Sequence, residues 1–182
     1  MTQAIDQGRR KLLRVGLATA LCAWAGPALA NVPRGAARSI ALANLHTGEN
    51  LRVDYWVNGR YLHDALHAVN VNLRDFRTGD VYPIDPQLLD LLDALRRKLG
   101  TRAPYQVISG YRSPKTNALL REESDGVAAG SLHMSGMAID IRVPDRALRY
   151  LHRAALALER GGVGYYPRSG FIHVDVGRVR HW

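Results

Sequence analysis

The chain is poor in cysteine, with Cys22 the only one among 182 residues. It lies within residues 1–30, which are predicted to be a signal peptide that is removed on export. The remaining part, 31–182, then has no cysteine, which excludes disulfides and thiolate metal ligands. An exported chain of this kind must rely on its hydrophobic core for stability. Any metal site in it must use nitrogen and oxygen ligands.

A long hydrophobic run is also missing from the N-terminal region, because the apolar run at 15–24 is too short to cross a bilayer. No membrane span is therefore expected. The run follows the basic segment Arg9-Arg10-Lys11 and precedes the small-residue cleavage pattern Ala28-Leu-Ala30. The arginine pair followed by Lys11-Leu-Leu13 favours a twin-arginine signal, which exports proteins already folded. An ordinary Sec signal that happens to contain two arginines is the alternative.

Acidic residues are outnumbered, with 16 Asp and Glu against 25 Lys and Arg and a net charge of +9. The signal peptide holds four basic residues and Asp6, a net +3, so +6 remains for 31–182. Such a surface suits an anionic partner such as nucleic acid, acidic lipid or a wall polymer. The charges are scattered and no nucleic-acid-binding motif is present, so no nucleic-acid partner is predicted. A basic surface that only confers solubility is the alternative.

Internal repeats and low-complexity tracts are absent, and 31–182 has the length of one domain. Alternating apolar residues predict strands at 39–45, 51–57, 105–109, 137–143 and 171–176. Apolar residues spaced three and four apart predict helices at 61–76, 86–99, 116–121 and 146–160. Asp85 and Asp145 are predicted N-caps, and Gly100 is predicted to end the second helix. A polar loop is predicted at 122–130 and a flexible turn at 161–164.

This order of elements predicts one α+β domain. The first two strands form a hairpin, whereas the later strands are connected through helices. We expect an antiparallel sheet flanked by helices, with the functional residues on the sheet.

The residues that point to chemistry are His133, Asp140 and His173. In each of the two late strands, apolar residues occupy one face, so Asp140 and His173 project to the same side if the strands are neighbours. An acid in the middle of a strand is costly unless it is paired or binds a metal. Two imidazoles and one carboxylate would leave the fourth zinc position open, which is typical of a catalytic site. His133 would have to fold back from the preceding loop.

The spacing of these three residues does not by itself distinguish a metal site from ordinary histidines at the surface or in hydrogen bonds. No short motif such as His-Glu-x-x-His is present, and the third residue is distant in the chain. Histidines are often surface or hydrogen-bonded residues, the role predicted for four others: His46, His63, His67 and His152.

The segment Ser131-x-His133-x-x-Gly136-x-Ala138-x-Asp140 resembles the signature of the zinc D-Ala-D-Ala carboxypeptidase and lysostaphin-related peptidases, which cut peptidoglycan stem peptides. The segments 109–113, 164–167 and 171–175 are also similar to that group. Within it, nearly the whole chain resembles a murein endopeptidase of the Gram-negative periplasm. The resemblance implies one Zn²⁺ per chain held by His133, Asp140 and His173. It also implies peptidoglycan stem peptides as substrate, cut at D-Ala–diaminopimelate or diaminopimelate–diaminopimelate cross-links.

The resemblance further implies a role for Arg112 in holding the scissile carbonyl or the negative charge that develops on it. Zinc would lower the pKa of water and polarise that carbonyl. The general base is where the chain departs from the group, because Gly170 and Phe171 stand where many members carry an acid or a histidine. Asp175 and His181 are the candidates, and Asp175 has the alternative role of orienting a ligand.

Two other functions remain open at this point. One is a carboxypeptidase that removes a terminal residue from murein peptides. The other is a zinc-containing module that binds the cell wall without turnover, which the missing acid at 170 and 171 would favour.

Overall fold

The computed structural model describes residues 37–123 and 127–182; the predicted signal peptide lies outside the described residues. The described chain forms one eight-stranded sheet with the order β3-β2-β1-β4-β5-β7-β6-β8. Its strands are β1 Ala37–Asn44, β2 Asn50–Val57, β3 Arg60–Tyr61, β4 Tyr105–Ser109, β5 Ala138–Arg142, β6 Gly162–Tyr166, β7 Phe171–Asp175 and β8 Arg180–His181. The α-helices are α1 His63–Asn72, α2 Pro86–Leu99, α3 Pro114–Glu123 and α4 Leu148–Leu156. None of the described helices has the length and apolarity to cross a membrane.

The sheet is mixed, so the prediction of a purely antiparallel sheet is wrong in two places. β1 and β4 are parallel because α1 and α2 return the chain to the starting edge before β4 begins. β8 is parallel to β6 because the chain reverses direction between β6 and β7 and again between β7 and β8, and β8 then pairs with the free side of β6. All other pairings are antiparallel, including β5–β7 and β6–β7. The early hairpin of β1 and β2 is confirmed.

The helix α2 begins and ends as predicted. The Asp85 side chain accepts a hydrogen bond from the Gln87 N–H at 2.8 Å, and Pro86 occupies the first turn, where its missing N–H costs nothing. Gly100 ends the helix in the left-handed conformation, with φ of 60°. The leucines of this helix lie in the core that also contains residues from β5 and β7. Helix α1 is shorter than predicted at both ends, because Tyr61 belongs to β3 and the helix ends at Asn72.

Two other predictions about local structure are wrong. Asp145 does not cap α4; its carboxylate accepts the Thr101 hydroxyl hydrogen bond, and α4 begins only at Leu148. Residues 161–164 are not a flexible turn, because β6 begins at Gly162. A Cβ atom at Gly162 would collide with the Asp175 and Arg180 side chains. Glycine at this position leaves room for these two side chains to approach the strand, and it does not indicate a loop.

The two faces of the sheet differ in the region of β5, β6 and β7. One face carries Ile139, Ile172 and Val174 into a core that α2 and α4 cover. Because side chains alternate along a strand, Asp140 and His173 project from the opposite face. The helical layer therefore closes one side of the sheet and leaves the other available for a polar site.

Candidate metal centre

Three side chains that are far apart in the sequence meet on the sheet face opposite α2 and α4. Asp140 and His173 are direct partners across β5 and β7, with Asp140 Oδ1 at 2.9 Å from His173 Nδ1. His133 Nε2 lies 3.3 Å from Asp140 Oδ1 and 3.2 Å from His173 Nδ1. All three residues are buried. Their potential ligand atoms lie within 4.8 Å of one another, close enough for one metal ion to contact all three.

His133 is held by the loop that precedes β5. It belongs to a 3₁₀ helix, Leu132–Ser135, that ends at Gly136 with φ of 65°. A Cβ at Gly136 would collide with the Pro83 carbonyl oxygen, so this turn requires glycine. His133 Nδ1 lies 2.8 Å from the Gly110 carbonyl oxygen, which can only accept. Nδ1 therefore carries the proton, and Nε2 presents its lone pair to the cluster.

His173 is oriented in the same way by a buried carboxylate. His173 Nε2 lies 3.1 Å from Asp175 Oδ2 and donates its proton outward, which leaves Nδ1 to face Asp140. Asp175 is 0% exposed and also accepts hydrogen bonds from the N–H groups of Gly162 and Gly177 and from the Arg180 guanidinium. Burial raises the pKa of Asp175, but these donors outweigh it and hold the pKa well below the ordinary range.

The expectation that Asp175 serves as general base does not fit this geometry. Its carboxylate lies behind His173, on the side away from the cluster, and both of its oxygens are occupied by donors. A carboxylate in this position fixes the tautomer and the ring orientation of the histidine. Of the two roles considered for Asp175, this geometry favours that of orienting a ligand, which stays a prediction.

The cluster suits a cation. With both imidazole protons directed outward, the inner nitrogens of His133 and His173 and the Asp140 carboxylate form a group of acceptors with no donor between them. Burial raises the pKa of Asp140, but positive charge at the neighbouring histidines outweighs this effect and lowers the pKa far below its ordinary value. A metal ion would supply that positive charge while both imidazoles stay neutral. Two neutral imidazoles and one carboxylate are a donor set for a divalent metal ion.

Arg112 lies beside the cluster in a groove of about 360 Å³. Its Nη2 is 3.9 Å from Asp140 Oδ2, and its guanidinium also contacts the Asn117 and Ser109 side chains at 3.4 and 3.5 Å. Burial lowers the pKa of Arg112, and the Asp140 carboxylate opposes that effect. The backbone N–H of Arg112 donates to the His133 carbonyl at 3.2 Å. The predicted cationic residue thus shares the groove with the three predicted ligands.

The groove also has an aromatic wall, and its Trp182 was not predicted to belong to the site. Trp182 is half exposed, lies 5.3 Å from the His173 ring, and donates from Nε1 to the Tyr166 hydroxyl at 2.7 Å. A Cβ at Gly164 would collide with the Trp182 and Tyr166 rings, so glycine makes room for them. Phe171 stacks on Tyr166 at 4.7 Å. The position of Trp182 depends on the register of β8 against β6, which no local sequence pattern predicts.

His181 does not enter the groove, so its assignment as a catalytic residue is not supported. It pairs with Val163 in the parallel β6–β8 ladder, and adjacent residues of a strand point to opposite faces. Trp182 takes the groove side, whereas His181 lies near His152, whose pKa is lowered first by burial and then by His181. His152 itself stacks on Tyr165. Of the described residues that line the groove, Asp140 alone has a carboxylate side chain.

An open groove whose floor carries two histidines and an aspartate is the arrangement of a catalytic metal centre. The chain belongs to the Peptidase_M15_2 family, described as peptidoglycan L,D-endopeptidase MepK, whose family model matches residues 33–182. It is therefore a peptidase, in agreement with the resemblance seen in the sequence.

Relatives of this family match the chain over almost its whole length. The peptidoglycan L,D-endopeptidase MepK of Escherichia coli K12 is 44% identical over 178 residues, which cover 97% of this chain and 98% of that protein. The probable peptidoglycan L,D-endopeptidase MepK of Haemophilus influenzae is 39% identical over 180 residues, covering 98% and 97% respectively. The matched regions thus span the part of the chain that forms the groove.

Proposed function

We propose that this protein is a zinc-dependent murein endopeptidase that hydrolyses peptide cross-links of peptidoglycan during growth and remodelling of the cell wall. One observation carries the proposal: His133, Asp140 and His173 meet on the floor of an open groove in a chain of this peptidase family. Zinc in such a site would polarise the scissile carbonyl and lower the pKa of the attacking water.

The residues around the cluster have distinct roles in this proposal. Arg112 donates to the carbonyl oxygen of the scissile bond and stabilises the negative charge that develops there. Asp175, fixed by Arg180, keeps Nδ1 of His173 free of a proton and aimed at the cluster. Trp182 and Tyr166 form the wall along which a stem peptide would lie.

The proposed bond is the diaminopimelate–diaminopimelate cross-link. That link joins an L-centre of one residue to a D-centre of the next, whereas a D-Ala–diaminopimelate link joins two D-centres. The names of the relatives specify L,D-endopeptidases. Their identity to this chain therefore supports the L,D link over the D,D link.

The proposed location is the periplasm, reached through the twin-arginine route. The family match begins at residue 33, shortly after the predicted cleavage at Ala30, and the relatives are named for action on peptidoglycan. Replacement of Arg9 and Arg10 by lysine should block export if the twin-arginine route is used. An ordinary Sec signal would tolerate the change.

A second candidate function is wall binding without turnover. It is favoured by one observation, namely that among the described residues no carboxylate side chain other than that of Asp140 lines the groove. Digestion of isolated murein separates the candidates. The enzyme should convert cross-linked dimers into monomers, a chelator should stop this, and zinc should restore it. His133→Ala should abolish the reaction, while His63→Ala, a change of an exposed histidine, should not. Binding to murein with no change in its fragments would leave only the second candidate.

A further inference from the structure

The helical side of the molecule carries a group of basic residues. We call this group the α2–α4 basic surface; its members are Arg97, Lys98, Arg146, Arg149 and Arg153. The first two lie in the last turn of α2, and the others lie on α4 or just before it. Because α2 and α4 cover the sheet face opposite His173, this surface lies on the side of the molecule away from the groove.

The centre of this surface is a shallow cleft of about 450 Å³ between the two helices. It is lined by Lys98, Leu99, Arg146, Tyr150, Arg153 and Ala154. Tyr150 is 49% exposed and lies between two guanidinium groups, with its ring centroid 4.8 Å from Arg149 Cζ and 5.4 Å from Arg153 Cζ. The cleft therefore presents an aromatic ring surrounded by cations.

The positive charge of the surface is only partly neutralised. Asp145 pairs with Arg146 at 3.2 Å, and Arg146 also donates to the Leu99 and Gly100 carbonyl oxygens. Asp93, whose side chain is 1% exposed, pairs with Arg97 at 2.9 Å. Among the described residues, no carboxylate pairs with the three remaining cations: Lys98, Arg149 and Arg153. Three charges on one exposed face are left for an external anion.

We propose that the α2–α4 basic surface docks the protein on a membrane that carries anionic phospholipid headgroups. The cations are spread across two helices and do not enclose a small pocket, which suits an extended anionic plane. Guanidinium groups match phosphate geometry, and a half-exposed tyrosine is a residue of the headgroup region. Docking through this side leaves the groove on the opposite face open toward the wall. The inference does not depend on which peptide bond the groove cuts.

Vesicle sedimentation tests this surface with a charge-matched control. The test variant is Lys98→Gln/Arg149→Gln/Arg153→Gln, and the control is Lys115→Gln/Arg52→Gln/Arg60→Gln, which removes three exposed cations elsewhere. The vesicles contain either phosphatidylcholine alone or a mixture with about one third phosphatidylglycerol. All proteins carry the same N-terminal residues, so any contribution of that region is common to them.

The wild type and the control should sediment with the anionic vesicles and not with the neutral ones. The affinity of the test variant for the anionic vesicles should be lower than that of the wild type by about tenfold or more. High salt should lower the affinity of the wild type for these vesicles in the same way. The melting temperature of the test variant should equal that of the wild type, because the substituted side chains are exposed. Equal loss in test and control variants would overturn the proposal. The proposal would also be overturned if the wild type did not bind the vesicles. This includes the case in which the three substitutions of the test variant reduce binding to purified murein instead.

Discussion

Asp140 and His173 are directly opposite each other on antiparallel strands, with 2.9 Å between Asp140 Oδ1 and His173 Nδ1. The register of β5 and β7 thus fixes two of the three proposed ligands on a rigid part of the sheet. A shift of one residue would carry either side chain into the core face. His133 comes from a loop, but its ring is held by the Gly110 carbonyl. The strand register and the Gly110 carbonyl together therefore fix the positions of all three proposed ligands.

Loss of the Asp175 charge should weaken metal binding more than it alters the fold. In Asp175→Asn, a neutral amide replaces the charged acceptor that orients His173, so zinc affinity should fall by about 10- to 100-fold. Competition with a chromophoric chelator measures this, and Asp54→Asn, an exposed acid on β2, is the matched control. If Asp175 were the general base, zinc affinity would be unchanged and only turnover would fall.

Arg112 and His181 should differ sharply as catalytic residues. Arg112→Gln removes the proposed donor to the developing charge, so kcat should fall by about 10²- to 10³-fold with zinc affinity retained. His181→Ala should retain nearly full activity because its side chain points away from the groove. Steady-state kinetics on a cross-linked muropeptide dimer distinguish the two. A large loss of kcat in His181→Ala would contradict the orientation of β8.

Gly164 should affect activity by leaving room for the Trp182 indole in the groove. In Gly164→Ala, the new methyl group would displace the Trp182 indole from its place beside His173, so kcat/KM should fall. Trp182→Ala should cause a similar loss, and the double variant should be little worse than either single one. Additive losses in kcat/KM would show that Gly164 acts independently of the ring.

Asp75 should contribute a pH-dependent part of the stability. Burial raises its pKa, but hydrogen bonds from Thr116, Ser113 and Arg77 outweigh this and lower it from 3.8 to about 2. A lowered pKa in the folded state stabilises the protein above the unfolded value of 3.8. That contribution is lost as the pH falls toward 2.

The shift corresponds to about 2 kcal/mol at neutral pH. Asp75→Asn should therefore lower the free energy of unfolding by about this amount at pH 7, with a much smaller difference from wild type near pH 2. Urea denaturation across this pH range measures the change, and Asp54→Asn should follow the wild type. A constant difference between Asp75→Asn and wild type at every pH would contradict the hydrogen-bonded carboxylate as the cause.

The parts of the fold that sequence predicted well depend on local signals. Asp85, Pro86 and Gly100 define α2 through capping and backbone preferences that act within a few residues. Strand alternation likewise placed Asp140 and His173 on one face, since that property needs only the period of a strand. The resemblance to the family then supported His133 as the third ligand and added Arg112, and the structure places both at the same groove.

The parts that sequence did not predict depend on long-range packing. Gly162 and Gly164 suggest a turn in isolation, but here they admit the Arg180 and Trp182 side chains against β6. The roles of His181 and Trp182 depend on the register of β8 against β6. The sequence did not predict the hydrogen bonds that Asp175 accepts, because Arg180 and the Gly162 N–H reach its carboxylate only in the folded chain.

Titration of metal-free protein with zinc, with hydrolysis of a purified L,D-cross-linked dimer as the readout, tests the central claim most directly. Activity should rise in proportion to zinc and reach a plateau at about one ion per chain, as expected for a single three-ligand centre. Asp140→Asn should remain inactive at the same zinc concentrations, while Asp54→Asn should follow the wild type. Hydrolysis without metal, or full activity of Asp140→Asn, would contradict the account.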